Sequence, residues 1–443
     1  MNSSVSQSQE AALKMGSGFR SDRDKSSPQH VQHVQLETAL EMILQYAQPV
    51  GTGRIGIRSA LGRVLSEDIH APVNLPPFNR SPLDGYAVRS EDIAGATTDN
   101  PVLLEISKEI TTGSCGNGKA ELGKNQAAIV MTGTPLPSGA DVVIKLEDVR
   151  RIEQKIEVVS PLPAYSNYCF AGEDIRQGER VLSKGTVIDP SSVGILAALG
   201  ISVVPVYRRP KVAIISNGDE LVEIDKQLKP GQIFDSNSYT IASYVRQVGA
   251  RPIMAGTVGD NTELIARRIS EMLKSADMII TTGGVSVGDF DLVRNALLSQ
   301  GVKILFHRIA MRPGTPALGA VKNGKLIICL SGNQAAAFAT FHLLAIPAIA
   351  GLMGITRPPL TITTAVLHDN YLKTSTQRNF LRGRTFFDEG VLKVKLAEKQ
   401  NPGIIRSTLY CDALIDVPAD SAPLQAGTRV KIVLIPSPWL QQN

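Results

Sequence analysis

Cysteine is scarce in this chain: there are four in 443 residues, at positions 115, 169, 329 and 411. They are too far apart for a zinc-ligand set or a disulfide framework, so a reducing compartment, the cytoplasm, is expected. Aromatic residues make up only 5% of the chain, with a single tryptophan, and no long basic run accompanies the 46 Lys and Arg that face 41 Asp and Glu. A net charge of +5 spread this thinly, with few rings to stack on bases, argues against nucleic acid as a partner. From Met1 to about His30 there is no apolar h-region, only Ser, Gln and mixed charge, so a disordered tail is expected rather than a signal peptide. Charge is absent from Leu326 to Thr356, a stretch long enough to span a bilayer. Ser331, Gly332 and Asn333 form a turn and cap there, and Pro347, Gly351 and Gly354 interrupt the apolar run beyond them. A buried strand and then buried core helices are expected, with no membrane span.

With 43% hydrophobic and 20% charged residues, the composition is that of a soluble globular protein, and the length calls for several domains. Leu36, Leu40, Ile43, Leu44 and Ala47 recur at helical spacing, predicting an amphipathic helix over residues 35 to 47, and a short helix is expected at Leu61 to Leu65 after Ser59. Between Val102 and Val159 the pattern turns to short β-prone runs. Beyond Arg208-Arg209-Pro210 buried strands alternate with helices, the mark of an open parallel sheet. Strands are expected at Val212 to Ser216, Pro252 to Val258, Met278 to Thr282, Ile304 to Phe306 and Leu326 to Leu330. From Pro358 the pattern returns to β, a small barrel or sandwich. The fold class is therefore α/β plus β, multidomain. Residues 72 to 169 form an inserted mostly β domain between the two halves, 31 to 71 and 170 to 208, of an elongated unit. Residues 209 to 357 form the α/β domain, and 358 to 443 a C-terminal β-barrel-like domain.

Ligands of open parallel sheets sit beyond the carboxyl ends of the strands. The residues expected there are Asn217-Gly218-Asp219-Glu220, Gly259-Asp260-Asn261, Gly283 to Asp291 and Ser331-Gly332-Asn333. The pair Gly283-Gly284 lets backbone approach a ligand, and free amides at such a turn favour an anion by roughly 0.3 to 1 kcal/mol per charge when exposed. Asp289 and Asp291 would repel that anion unless a cation bridges them. Glycines and carboxylates together suggest a phosphate-bearing ligand held partly through Mg²⁺, which takes one or two carboxylates plus phosphate oxygens and water. Asp84, in the proline-rich loop Leu75 to Val88, and Thr132-Gly133 in Met131-Thr132-Gly133-Thr134-Pro135 offer a carboxylate, a hydroxyl and free amides on rigid loops. Arg308 and Arg312, spaced by four and followed by Pro313 and Pro316, could present two guanidinium forks to an oxyanion.

These segments, together with Gly172-Glu173-Asp174-Ile175, Met311-Arg312-Pro313-Gly314 and Cys411-Asp412-Ala413-Leu414-Ile415, resemble in order and spacing the molybdopterin molybdenumtransferases, bacterial enzymes related to the E domain of gephyrin. The resemblance covers about residues 31 to 437. It implies a four-domain chain forming an elongated homodimer through the bipartite unit, with the cleft between the α/β domain of one subunit and the inserted β domain of the other. It implies adenylylated molybdopterin and molybdate as substrates, Mg²⁺ as cofactor, and molybdopterin adenylyltransferase and molybdoenzyme maturation proteins as partners. Carried over position by position, Asp84, Asp174, Glu220, Asp260 and Asp291 match the family's carboxylates, Asp260 and Asp291 as the metal ligands. Thr132 matches its hydroxyl. Arg308 and Arg312 match its Lys or Arg positions, and Arg382 a basic residue reaching in from the C-terminal domain. Gly133, Gly283, Gly284, Ser286, Asp289, Gly332 and Asn333 complete the binding set.

Departures fall on the anion-binding side. The family's Leu-Pro-Gly-Asn-Pro is Leu330-Ser331-Gly332-Asn333-Gln334 here, Thr315 and Cys169 replace frequent basic residues, and Pro402 replaces a serine, with Ser407 as candidate substitute. They keep open a non-catalytic paralogue that binds molybdopterin or molybdate as carrier or sensor; a scaffold, as the gephyrin E domain is, is a third class for which the sequence offers no partner motif.

Overall fold

The computed structural model describes residues 33–110, 121–285, 291–355 and 360–435. Its centre is a six-stranded sheet. Lys211–Asn217 lies between Arg251–Val258 and Met278–Thr282, and Lys325–Leu330 extends the sheet, all parallel. The expected strand Met278 to Thr282 is found at those bounds, and all five of its residues are buried. Helices cover both faces, so an unbroken apolar run suits this position better than alternation. Leu318–Lys322 was not expected as a strand. It turns back antiparallel on Lys325–Leu330 and carries Lys303–His307 on its other edge.

Three of the helices among the described residues start where the N-cap side chain meets free backbone amides. Asn261 Oδ1 accepts from the N–H of Glu263 and of Leu264 at the head of Thr262–Ser275. Asp189 Oδ1 accepts from Ser192 N–H at 2.7 Å at the head of Pro190–Ala198. The charge-free stretch is a strand followed by one helix over Gln334–Leu352, 94% buried, with a π-helical turn at Phe341–Ala345. It packs in the main core beside Leu36–Leu44 and the central strands. It is the one helix among the described residues long and apolar enough to cross a membrane.

The helix expected at Leu61 to Leu65 is absent. Val64 and Leu65 are buried through single bridges to Val187 and Val206, while Leu61 stays exposed. The apolar spacing there served β pairing, and the helical turn falls earlier, at Ile57–Ser59. Thr52–Gly56 pairs antiparallel with Val203–Tyr207, and Ile69 with Leu182, with Ala71 N–H bonded to the Glu179 carbonyl at 2.8 Å. Chain on either side of the mostly β unit therefore lies together. That unit is a sheet of six strands containing Gly85–Val88 between Gln126–Val130 and Val142–Lys145. At the C-terminal end Arg378–Asp388, Val391–Leu396, Thr361–Leu367, Arg429–Leu434 and Ala413–Val417 close into a five-stranded barrel. Arg378 fastens it to the first helix, donating to both Asp416 oxygens at 2.7 and 2.8 Å and to Glu37 at 2.7 Å.

Candidate functional site

The carboxyl ends of the central strands open into a cavity of about 720 Å³. Glu220, Asp260, Gly283, Gly284, Gly332 and Asn333 line it, as expected from the sequence. The glycine pair is dictated by its surroundings. Gly283 has φ +79° and a Cβ there would lie 2.2 Å from the Asn217 carbonyl oxygen. Gly284 has φ +66° and its Cβ would lie 2.8 Å from Val293. Asn217 itself is buried, and its Oδ1 finds no donor among the described residues, leaving an acceptor at the cavity wall for a ligand N–H or O–H.

Residues 233 to 237 also line this cavity, and no motif in the sequence had pointed to them. Asp235 is buried and accepts from Ser238 N–H at 3.1 Å, and Asn237 Nδ2 donates to the Gly332 carbonyl at 2.8 Å, tying two rim loops together. The available signal was Asp235-Ser236-Asn237 directly before a helix, a capping sequence placed at a strand end. Among the described residues no three His, Cys, Asp or Glu form a cage that could hold a metal alone. Glu220 and Asp260, both in the lining, nevertheless suit a cation completed by phosphate oxygens and water.

Asp291 takes a different position from the one expected of a metal ligand. It is buried, caps the helix Leu292–Ser299 through Arg294 N–H at 3.1 Å, and places Oδ2 2.7 Å from His307 Nε2. Both oxygens are engaged and it does not line the cavity, so a positioning part fits it better than metal ligation. Ser286 and Asp289 lie outside the described residues.

Across the loop of Ser331 and Asn333, which lines both, lies a second cavity of about 390 Å³. Arg312, Lys373 and Arg382 face it, and no carboxylate is among its lining residues. Arg382 is fully buried. Its Nε donates to Ser407 at 3.1 Å, its Nη2 has only long contacts of 3.4 Å to the Lys399 and Asn401 carbonyls, and Nη1 has no partner among the described residues. Burial lowers its affinity for the proton. A buried guanidinium with a free donor and no counter-charge is an anion site in waiting. Arg308 does not join it: it does not line the cavity, and its Nε is buried without a partner among the described residues. Lys373 replaces it, a residue that no sequence motif marks.

Asp84, Thr132, Gly133 and Asp174 line neither cavity of this chain. Asp84 Oδ1 accepts from Thr132 N–H at 2.6 Å and Thr132 Oγ1 at 2.8 Å, and these bonds hold its carboxyl below the usual carboxylate range. The pair is exposed, as is Asp174.

Three family descriptions match the chain in succession: the MoeA N-terminal region (domain I and II) over residues 34–200, a probable molybdopterin binding domain over 213–351, and the MoeA C-terminal region (domain IV) over 364–435. A molybdopterin molybdenumtransferase of Staphylococcus epidermidis is 33% identical over 404 residues, 91% of this chain and 96% of that one. The chain belongs to the MoeA family. Its MoeA relatives include a molybdopterin molybdenumtransferase of Bacillus subtilis, 32% identical over 91% of this chain and 94% of that one. A crystal structure of the molybdopterin biosynthesis MoeA protein of Pyrococcus horikoshii superposes with a TM-score of 0.82 at 30% identity, covering 92% of this chain and all of that one. The MoeA fold is thus the multidomain α/β plus β arrangement expected from the sequence.

Proposed function

We propose that the chain is a molybdopterin molybdenumtransferase that inserts molybdenum from molybdate into adenylylated molybdopterin and releases AMP. The observation that carries this reading is Arg382, buried without a counter-charge among the described residues and separated by the Ser331 to Asn333 loop from a cavity of glycines and carboxylates. One cavity has the chemistry for a pyrophosphate, the other for a tetrahedral dianion, and the shared loop brings the two substrates together. In the first, the Gly284 amide would take a phosphate oxygen, the Gly283 N–H being bonded to the Leu330 carbonyl at 3.2 Å, and Asn217 Oδ1 would accept from the pterin. Glu220 and Asp260 would hold Mg²⁺, which when bound polarises a phosphoryl oxygen. In the second, Arg312, Lys373 and Arg382 would orient molybdate; Lys373 supplies charge that Thr315 lacks, and Ser407 supports Arg382 where Pro402 offers no hydroxyl.

We further propose a cytoplasmic homodimer in which the partner subunit's Asp84, Thr132, Gly133 and Asp174 complete the cleft, since within one chain they line neither cavity. Molybdopterin adenylyltransferase, as supplier of the adenylylated substrate, and molybdoenzyme maturation proteins, as takers of the product, are the proposed partners. Purified protein given adenylylated molybdopterin, Mg²⁺ and molybdate should release AMP and yield product that activates an apo molybdoenzyme. Ligand binding without AMP release, where a MoeA relative turns over, would instead favour the carrier reading, to which the substituted Ser331 and Pro402 on the oxyanion cavity would then belong.

A further inference from the structure

A third cavity, of about 470 Å³, opens at the opposite end of the central sheet. Lys211, Arg251 and Lys325 are the first residues of three central strands, and Lys274 sits in the last turn of the helix Thr262–Ser275. Arg63, Arg208 and Arg209 close over them from the elongated unit and its linker. One carboxylate shares this lining, Asp277, and its Oδ2 accepts from the Lys211 backbone N–H at 2.8 Å. None of the seven cations makes an ion pair within the described residues.

Carbonyls hold several of these groups in place without neutralising them. Arg63 Nη2 donates to Tyr207 O at 2.8 Å, Lys325 Nζ to Leu273 O at 2.6 Å, and Arg208 to Val50 O. Burial, and then the neighbouring charge of Arg209, lower the proton affinity of Arg63. Like charges gathered around a concavity repel one another and focus a positive potential into it. Four of the seven are arginines, whose forks suit phosphate oxygens in pairs. The volume lies within the roughly 300 to 1,000 Å³ of small-molecule sites. The lining holds no aromatic side chain and only Ala276 as an apolar residue, so nothing there would stack a base or grip an apolar peptide anchor.

We propose that this cavity is a second ligand site, remote from the cleft, for a small anion carrying several phosphate groups. Tripolyphosphate is the probe. Calorimetry on the full chain at fixed ionic strength should give saturable binding, tighter than orthophosphate. Arg251→Gln/Lys274→Gln, at two exposed positions, should weaken it by at least about tenfold, the factor that corresponds to roughly 1.4 kcal/mol, while AMP release from adenylylated molybdopterin is unchanged. Arg209→Gln, also exposed, is the second variant and should act in the same direction. Amide exchange should slow at residues 208 to 211 and 274 to 277 when tripolyphosphate is added to wild type. Unchanged affinity in both variants, or protection confined to the loops at 218 to 220 and 331 to 333, would overturn the proposal. So would equal affinity for a glutamate peptide of matched charge, since the face would then be an unselective basic patch.

Discussion

Replacing Arg382 by Met separates what this side chain does for folding from what it does for an anion. In the free protein the guanidinium is fully buried, faces no carboxylate among the described residues, and has one 3.1 Å bond to Ser407 and two of 3.4 Å to carbonyls. Ser407 keeps its own bond to the Ile404 carbonyl at 2.6 Å in the variant, so no hydroxyl is stranded. Exchanging buried ions for apolar side chains of similar volume is commonly neutral or stabilising, by about 1 to 4 kcal/mol. Losing these long hydrogen bonds gives back on the order of 1 kcal/mol. Without molybdate, Arg382→Met should therefore unfold in urea within about 1 kcal/mol of wild type, or later. A hydrogen bond from a charged donor contributes roughly 1.5 to 3 kcal/mol, so the molybdate concentration for half-maximal AMP release should rise about ten- to a hundredfold. Molybdate should raise the urea midpoint of wild type and leave that of the variant where it is. A variant that loses more than about 3 kcal/mol of stability with its molybdate curve unmoved would refute the argument and make Arg382 a pin of the barrel.

Gly283→Ala should lose both stability and substrate binding, since the clash falls on the backbone at the end of a central strand. The new Cβ would meet the Asn217 carbonyl at 2.2 Å from a left-handed backbone, and calorimetry with adenylylated molybdopterin should register at least a tenfold loss, about 1.4 kcal/mol. Asp291→Ala and His307→Ala should lower turnover together and far less than additively when combined, because they act as one 2.7 Å pair; neither should change the Mg²⁺ requirement, whereas Asp260→Ala should raise it. A Mg²⁺ titration of each variant distinguishes the two. Burial lowers His342 from its ordinary 6.5 to about 4. Its neutral form is the folded one, so its contribution to stability is complete above about pH 6.5 and is lost as pH falls toward 4, about 3 kcal/mol in all. Urea unfolding across that window should show the slope, and His342→Phe should flatten it.

The central sheet was legible because its strands are short apolar runs with helices between them, and Met278 to Thr282 was bounded at both ends by charge and glycine. Leu318–Lys322 was hidden because Gly319 and Ala320 carry little β signal. A Cβ on Gly319 would strike the Phe306 ring at 2.4 Å, so close packing rather than propensity put glycine there. Ala413–Val417 is buried at every residue and its segment had been noticed as a motif, yet without alternation nothing in it announced a barrel strand. The glycines and two of the carboxylates were readable at the strand ends. The capping place of Asp291 was not legible because a helix cap and a ligand look alike in sequence; its tie to His307 becomes visible only in the fold. The third cavity could not be read at all, since its cations are scattered from Arg63 to Lys325 and no local pattern joins them.

The mostly β unit begins and ends at neighbouring strands, joined where Ala71 meets Glu179. Such an arm is severable: a tight turn bridging the two strands would seal the gap and leave everything beneath undisturbed. Evolution can lengthen, trade or discard it in a single event while the body beneath it stays as it was.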